Sequence, residues 1–196
     1  MPIYPTRTIG GTGVIEDVEK RIDSSFKKTG SCIIAVGTIP TSVGASHYLD
    51  IIHNKVAGKV PSVDLGFHKK LFAFMADVAD NKLLLSAHDI AEGGIAVALF
   101  EMGRANNIGC DVNLPSIARA DALLFGEAPL MLIEVGRENY QTVLDICENM
   151  GLTYTDIGKT TEEPLITIHT GSICLVKTDI ARLNAVYEKA LPELVS

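Results

Sequence analysis

Residues 83–105, LLLSAHDIAEGGIAVALFEMGRA, read as a strand, a tight loop and a helix, with two adjacent glycines where the first helical turn should fall. A glycine in a helix interior costs about 1 kcal/mol relative to alanine, so Gly93 and Gly94 oppose the helix that their neighbours favour. Something requires bare backbone there. If Asp89 is the N-cap, Glu92 takes the third helical position, where its carboxylate reaches back to the cap in a capping box. Both acids also suit the positive end of the helix dipole. That accounts for the acids as a helix start and leaves the glycines unexplained. A helix start without side chains admits close approach by another element or by a ligand, and its N–H groups suit an anion such as phosphate. Beyond the pair, Ile95, Leu99 and Met102 form one apolar face and Val97 and Phe100 a second, so the helix is expected to be buried on most sides.

The rest of the chain places this unit in an alternating pattern. TRTIGGTGVIED, near the N-terminus, and SCIIAVGT, residues 31–38, read as strands. GASHYLDIIHNKV and DLGFHKKLFAFMADVADN carry helical spacing, the second through Leu65, Leu71, Phe72, Met75 and Val78, with Asp64 as its cap. KLLLSA is a strand ahead of the glycine-started helix, IGCDVNL a strand after it, and ADALLFGEAP a short helix and turn. LMLIEV, TYTDIG, PLITIHT and SICLVKT are further strands. RENYQTVLDICENM is a helix with Gly151 as its C-cap, and DIARLNAVYEKALPEL a final helix capped by Thr178 or Asp179. The pattern fits a single α/β domain over 1–196, with a mixed, largely antiparallel sheet covered by helices.

Composition narrows the function classes. A net charge of -7 with no basic stripe argues against nucleic acid and anionic membranes as partners. The longest apolar runs, such as IAVALF, are far short of the roughly 20 residues of a membrane span, and MPIYPTRTIGG lacks a signal peptide's apolar region, which sets a cytoplasmic expectation. Cys32, Cys110, Cys147 and Cys174 form no C-x-x-C pair and the five histidines show no metal-ligand spacing, so reduced and mostly buried thiols and no metal site are expected.

SAHDIAEGGIAVALFEM resembles the H-D-x-S-D-GG-L-A-V-A-L-x-E-M segment of the phosphoribosylformylglycinamidine synthase family. IYPTRTIGGTGVIEDVEKRI, GASHYLDIIHNKVAGKVPSVDL and LLFGEAPLMLIEV resemble, in order, its Y-P-T-P-x-I-G opening, its G-G-S-E-Y-L and G-x-x-P-x-L-D-L stretches, and its L-F-G-E-S segment. The resemblance runs from Tyr4 to the last helix. Aminoimidazole ribonucleotide synthetase, selenophosphate synthetase, thiamine-monophosphate kinase and a hydrogenase-maturation dehydratase share the fold, and the last also carries H-D-x-x-x-GG. The tyrosine-proline-threonine opening and GKVPSVDL favour the purine enzyme.

The resemblance implies the second domain of the synthetase's C-terminal half, with residues 1–12 a connecting strand from a preceding ATP-type domain. It implies ATP-dependent amidation of formylglycinamide ribonucleotide with ammonia from a glutaminase subunit or domain. ATP and magnesium belong to the intact enzyme, with neither expected on this domain alone. The nucleotide segment, metal ligands and catalytic histidine of the family lie in other domains, so no catalytic residue is expected here and the isolated chain is expected to be inactive. His88, Asp89, Glu92, Gly93 and Gly94 match the family's H-D-x-x-x-GG positions and are expected to face a substrate or phosphate cleft, with Glu92 where the family has aspartate. Gly126 and Glu127 match F-G-E, with Ala128 in place of serine. Gly44 and Ser46 match G-G-S, with Ala45 in place of the second glycine. The expected partners are the preceding domains, the glutaminase and a small-molecule substrate, with a homodimer through the exposed face also open. The alternatives are a non-catalytic interaction module and a domain of the hydrogenase-maturation enzyme.

Overall fold

Strand β1 (Cys32–Gly37) is apolar along its whole length because both of its faces are buried. Ile33 and Ala35 enter one cluster and Ile34 and Val36 the other, as the two-residue period of a strand requires. In the computed structural model, which describes residues 10–195, β1 pairs with β4 (Leu130–Val135) on one side and β5 (Tyr154–Thr161) on the other. The remaining strands are β2 (Ser86–Asp89), β3 (Gly109–Leu114), β6 (Leu165–Thr170) and β7 (Ile173–Asp179). The seven form one sheet in the order β2-β4-β1-β5-β3-β6-β7. β3 and β6 run parallel and the other neighbours run antiparallel.

Helices cover both faces. On one side α3 (Gly94–Arg104), α4 (Ala120–Phe125) and α6 (Ile180–Val195) bury Ile95, Leu99, Met102, Leu123 and Ile180 against Ile33, Leu132 and Val112. On the other, α2 (Leu65–Asp80) and α5 (Tyr140–Met150) bury Phe74, Val78, Val143 and Cys147 against Ile34 and Ile133. A short α1 (His47–His53) lies outside both clusters. This is the mixed, largely antiparallel sheet covered by helices that the patterning indicates.

The caps of α2 and α5 stand where the sequence puts them. Asp64 accepts from the N–H groups of Gly66 and Phe67 at 2.8 and 3.1 Å, and Gly151 closes α5 with φ +61°. Asp179 accepts from Ala181 N–H at 2.8 Å at the start of α6.

Four local readings need correction. The strand expected in TRTIGGTGVIED lies outside the described residues up to Ile9, and Gly10–Asp17 carry no strand. This includes Gly10–Gly11 and Thr12 of the expected connecting strand. Strand β2 begins at Ser86 rather than at Lys82. On α2, Phe74 takes the inner position, while Leu65 and Phe72 are exposed. The thiols divide evenly: Cys110 and Cys147 are buried, Cys32 is half-buried and Cys174 is exposed. Burial pushes the Cys110 thiol up to about 12 and the Cys147 thiol up to about 11.

The N-terminal segment is fixed by a buried acid. Glu134 on β4 is fully buried, and its carboxylate accepts from Lys27 N–H at 2.8 Å, Lys28 N–H at 3.0 Å and the Ser86 hydroxyl at 2.8 Å. A buried carboxylate is tolerated only with such donors. Phe26, just before Lys27, is fully buried and donates its N–H to Met102 O at 2.8 Å. Glu134→Ala leaves three donors without their acceptor and is expected to lower unfolding stability by about 3 kcal/mol, with Glu134→Gln losing about half of that. Urea unfolding of the two variants checks this, and a loss below about 1 kcal/mol for the alanine variant would contradict the assigned role.

Candidate functional site

The strand ends that meet at one edge of the sheet are the C-terminal ends of β1 and β2 and the starts of β4 and β5. Beyond them opens a cleft of about 680 Å³. Its walls come from the β1–α1 loop (Thr38, Thr41, Ser42, Gly44), the approach to α2 (Lys59, Ser62, Asp64), Lys70 on α2, and Glu127 with Ala128 before β4. Lys59 and Lys70 share these walls with the carboxylates of Asp64 and Glu127, so the recess carries charges of both signs. Lys70 Nζ donates to Gly151 O at 3.5 Å.

Next to the cleft, α3 begins differently from the capping-box reading. Asp89 is the last residue of β2 and is exposed, and Glu92 is exposed in the following turn. The N-cap is Gly93, at φ +86° with no side-chain cap, and Gly94 follows at φ +69°. Two successive left-handed residues exclude helix before Gly94, which is why the acid pattern does not become a capping box. Gly94 is bare because a Cβ there would lie 2.7 Å from both Leu124 O and Phe125 Cα. Close packing of α3 on the end of α4 is therefore what the second glycine serves.

His88 lies on β2, with Nδ1 donating to Asp89 O at 2.6 Å and Nε2 3.3 Å from Glu101 on α3. Its ring joins β2 to α3 and does not line the cleft.

The other predicted residues converge. Glu127 Oε1 accepts from His47 N–H at 2.9 Å and from Gly93 N–H at 3.2 Å, and lies 3.2 Å from His47 Nδ1. One carboxylate oxygen thus joins the first residue of α1 to the N-cap of α3. Gly126 leaves no room for a side chain, since a Cβ would lie 2.6 Å from Pro40 Cβ and 2.7 Å from Ser42 O. Gly44 is similarly packed, 2.7 Å from Lys59 O by the same measure. Ser46 is the N-cap of α1. Its buried hydroxyl donates to Val43 O at 2.6 Å and accepts from Leu49 N–H at 3.4 Å. Ala45 holds φ +56°. Tyr48 on α1 stacks on Phe125, the last residue of α4, with centroids 4.8 Å apart and planes within 5°.

The structure therefore brings Gly44, Glu127 and Gly93 to one place at the cleft rim. Asp89 and Glu92 stay on the surface beside it, and His88 behind it. Sequence reasoning passed over Lys59, Ser62, Lys70 and Thr153 as cleft residues. Lys59 and Ser62 stand within the quoted GKVPSVDL stretch, so a signal was present for them. Lys70 and Thr153 arrive by folding alone. Among the described residues no group of three or more histidine, cysteine or acidic side chains is placed to hold a metal ion.

The chain is thus a three-layer α/β/α domain with a polar cleft beyond its strand ends. The AIR synthase related protein C-terminal domain model matches residues 28–171, and the chain belongs to that family. It is 34% identical over 195 residues to the phosphoribosylformylglycinamidine synthase subunit PurL of Moorella thermoacetica, covering 99% of this chain and 26% of that protein. With the same subunit of Deinococcus radiodurans it shares 40% identity over 173 residues, covering 85% and 23%. The chain spans about a quarter of the length of these curated relatives. Among solved structures, Thermotoga maritima PurL complexed with FGAR matches with a TM-score of 0.73 at 18% identity, over 85% of this chain and 30% of that one. Escherichia coli HypE, a hydrogenase maturation protein, matches with 0.57 at 17% identity over 81% and 51%. At these identities the structural likenesses speak for the fold.

The two substitution sites at the rim respond in opposite directions. Gly94→Ala adds a Cβ against main-chain atoms that cannot swing away and is expected to cost about 3 kcal/mol. Ala45→Gly relieves a left-handed alanine and is expected to gain about 1 kcal/mol. Chemical denaturation of both variants measures the contrast, and a stable Gly94→Ala variant would show that the α3–α4 contact is not tight.

Proposed function

We propose that this chain is the C-terminal domain of the second half of a phosphoribosylformylglycinamidine synthase, and that it forms one wall of an ATP-dependent carbon–nitrogen ligase site in purine biosynthesis. The observation that carries the reading is the extent of the likeness. Nearly the whole chain aligns with about a quarter of the PurL subunits, at 34–35% identity in the Moorella and Thermobifida proteins. Three of the four sequence motifs, dispersed along the chain, also contribute residues to one end of the sheet.

In the proposed reaction the formamide oxygen of formylglycinamide ribonucleotide takes the γ-phosphoryl group of ATP. Ammonia released by a glutaminase then adds to the iminophosphate carbon and inorganic phosphate leaves, giving formylglycinamidine ribonucleotide. Such chemistry depends on positioning and on stabilising charge on phosphoryl oxygens. The chain's contribution is a rim that carries the hydroxyls of the β1–α1 loop and the lysines Lys59 and Lys70. We assign the substrate or phosphate cleft to Gly44, Ser46, His88, Asp89, Glu92, Gly93, Gly94, Gly126 and Glu127. His88, Gly94 and Ser46 act through the packing and hydrogen bonds described above. ATP and its magnesium are assigned to the preceding domains, as the resemblance implies. The isolated chain is inactive in this reading, its address is cytoplasmic, and its partners are those domains and the glutaminase.

The competing reading is an interaction module without catalysis. Ile51, Ile52, Val56, Val60 and Val63 give it some support, being large apolar side chains exposed along one segment. The two readings separate on Asp89, whose side chain is exposed and holds no helix end. In the longer polypeptide supplied with ATP, glutamine, the glutaminase and formylglycinamide ribonucleotide, Asp89→Ala is expected to fold normally and to lose at least tenfold in kcat/KM. The isolated chain is expected to give no product. Wild-type kinetics from both Asp89→Ala and Gly93→Ala would favour the module.

A further inference from the structure

Glu127 is one of the residues assigned to the cleft, but its geometry gives it a more specific role than lining. Its side chain is only 20% exposed, and the same oxygen receives two backbone donors from segments 46 residues apart in sequence, His47 and Gly93. Each donor stands at the beginning of a different helix. The first, α1, carries the far end of the 38–46 loop, which supplies Thr38, Thr41, Ser42 and Gly44 to the cleft. The second, α3, follows the 89–93 turn that holds Asp89 and Glu92.

No other described hydrogen bond joins these two segments directly. Tyr48 joins α1 to Phe125, and Gly94 packs on the same Phe125, so the apolar contacts place both helices near α4 without fixing their separation at the rim. A carboxylate receiving backbone N–H groups makes charge-assisted bonds, roughly twice as strong as neutral ones. Because the acceptor is shared, any displacement of the Glu127 side chain breaks both bonds together.

We propose that Glu127 is a positioning residue, a single-oxygen tie that makes the 38–46 loop and the 89–93 turn open and close as one unit. As a statement about the cleft it rests on the functional reading above. As a statement about coupling it is tested in the chain by itself, without substrate or partner, so the two fail separately.

The test is amide hydrogen exchange by NMR, which reads local opening residue by residue. Wild type, Glu127→Gln, Glu127→Asp and Glu127→Ala are compared, together with the core amides of Ile34 and Leu132. In Glu127→Gln an oxygen acceptor of the same reach remains without its charge, and His47 and Gly93 are expected to exchange about tenfold faster together. Glu127→Ala removes the acceptor and is expected to accelerate both further, so that glutamine counts as a partial rescue. Glu127→Asp, shorter by a methylene, is expected to restore at most one of the two bonds. The core amides and the urea midpoint of Glu127→Gln are expected to stay close to wild type. The proposal is overturned if one amide responds to Glu127→Gln without the other, if neither responds, or if the core amides accelerate in proportion. The last result would make Glu127 a general stability residue. Should Glu127→Ala fail to fold, the glutamine and aspartate variants still decide between these outcomes.

Discussion

The end of α4 is the point on which the site depends. Gly94 lets the first turn of α3 approach the backbone at Leu124 and Phe125 to a distance that a methyl group would forbid. The aromatic ring of Phe125 is stacked on Tyr48, so α1 is drawn to the same place. The chain then leaves α4 through Gly126, itself pressed against Pro40 and Ser42, and the next residue, Glu127, reaches both helix starts. The β1–α1 loop and the 89–93 turn are thus assembled around four residues, 124–127. Dispersion and apolar burial bring the helices in, while the carboxylate and the bare backbone set their final separation. The glycine pair has two different reasons: Gly94 serves close packing, and Gly93 serves a left-handed N-cap whose N–H points to an acid from elsewhere in the chain.

Much of the fold was legible because its signals are local. The apolar run of β1, the Asp64 cap of α2 and the Gly151 terminus of α5 each depend on residues within a few positions of one another, and each stands where the pattern places it. The failures have non-local causes. Leu65 and Phe72 satisfy a helical apolar spacing, but the sheet below α2 accepts the stripe through Leu71, Phe74 and Val78 instead. Lys82, Leu83 and Leu84 resemble a strand, but the pairing of β2 with β4 is registered on Ser86, where the hydroxyl meets buried Glu134. Asp89 and Glu92 have capping-box spacing, but spacing carries no information about the φ of the two glycines that follow.

The site was legible in its parts and hidden in its assembly. Gly44, Gly93 and Glu127 were each conspicuous, but the sequence contains no term that joins His47 to Glu127 across 80 positions or Glu127 to Gly93 across 34. The mixed charge of the cleft was hidden as well, because only the fold places Lys59 and Lys70 against the same recess as Asp64 and Glu127.

The departures from the family pattern fall at this rim and have distinct physical consequences. Ala45 stands where the resemblance has glycine, and it adopts the left-handed backbone that a glycine would adopt without strain. The loop geometry is therefore kept at an energetic cost, which indicates that the surrounding contacts, Ala45 N–H to Ala57 O at 2.8 Å and the Ser46 cap among them, over-determine it. Ala128 stands where the resemblance has serine, and it lines the cleft without a hydroxyl to offer. A ligand held here would rely on the hydroxyls of the β1–α1 loop and on the two lysines. Such a donor set is suited to a diffuse anionic charge and offers little side-chain selectivity of its own. The specificity of the proposed ligase would then have to come from the surface that this cleft faces.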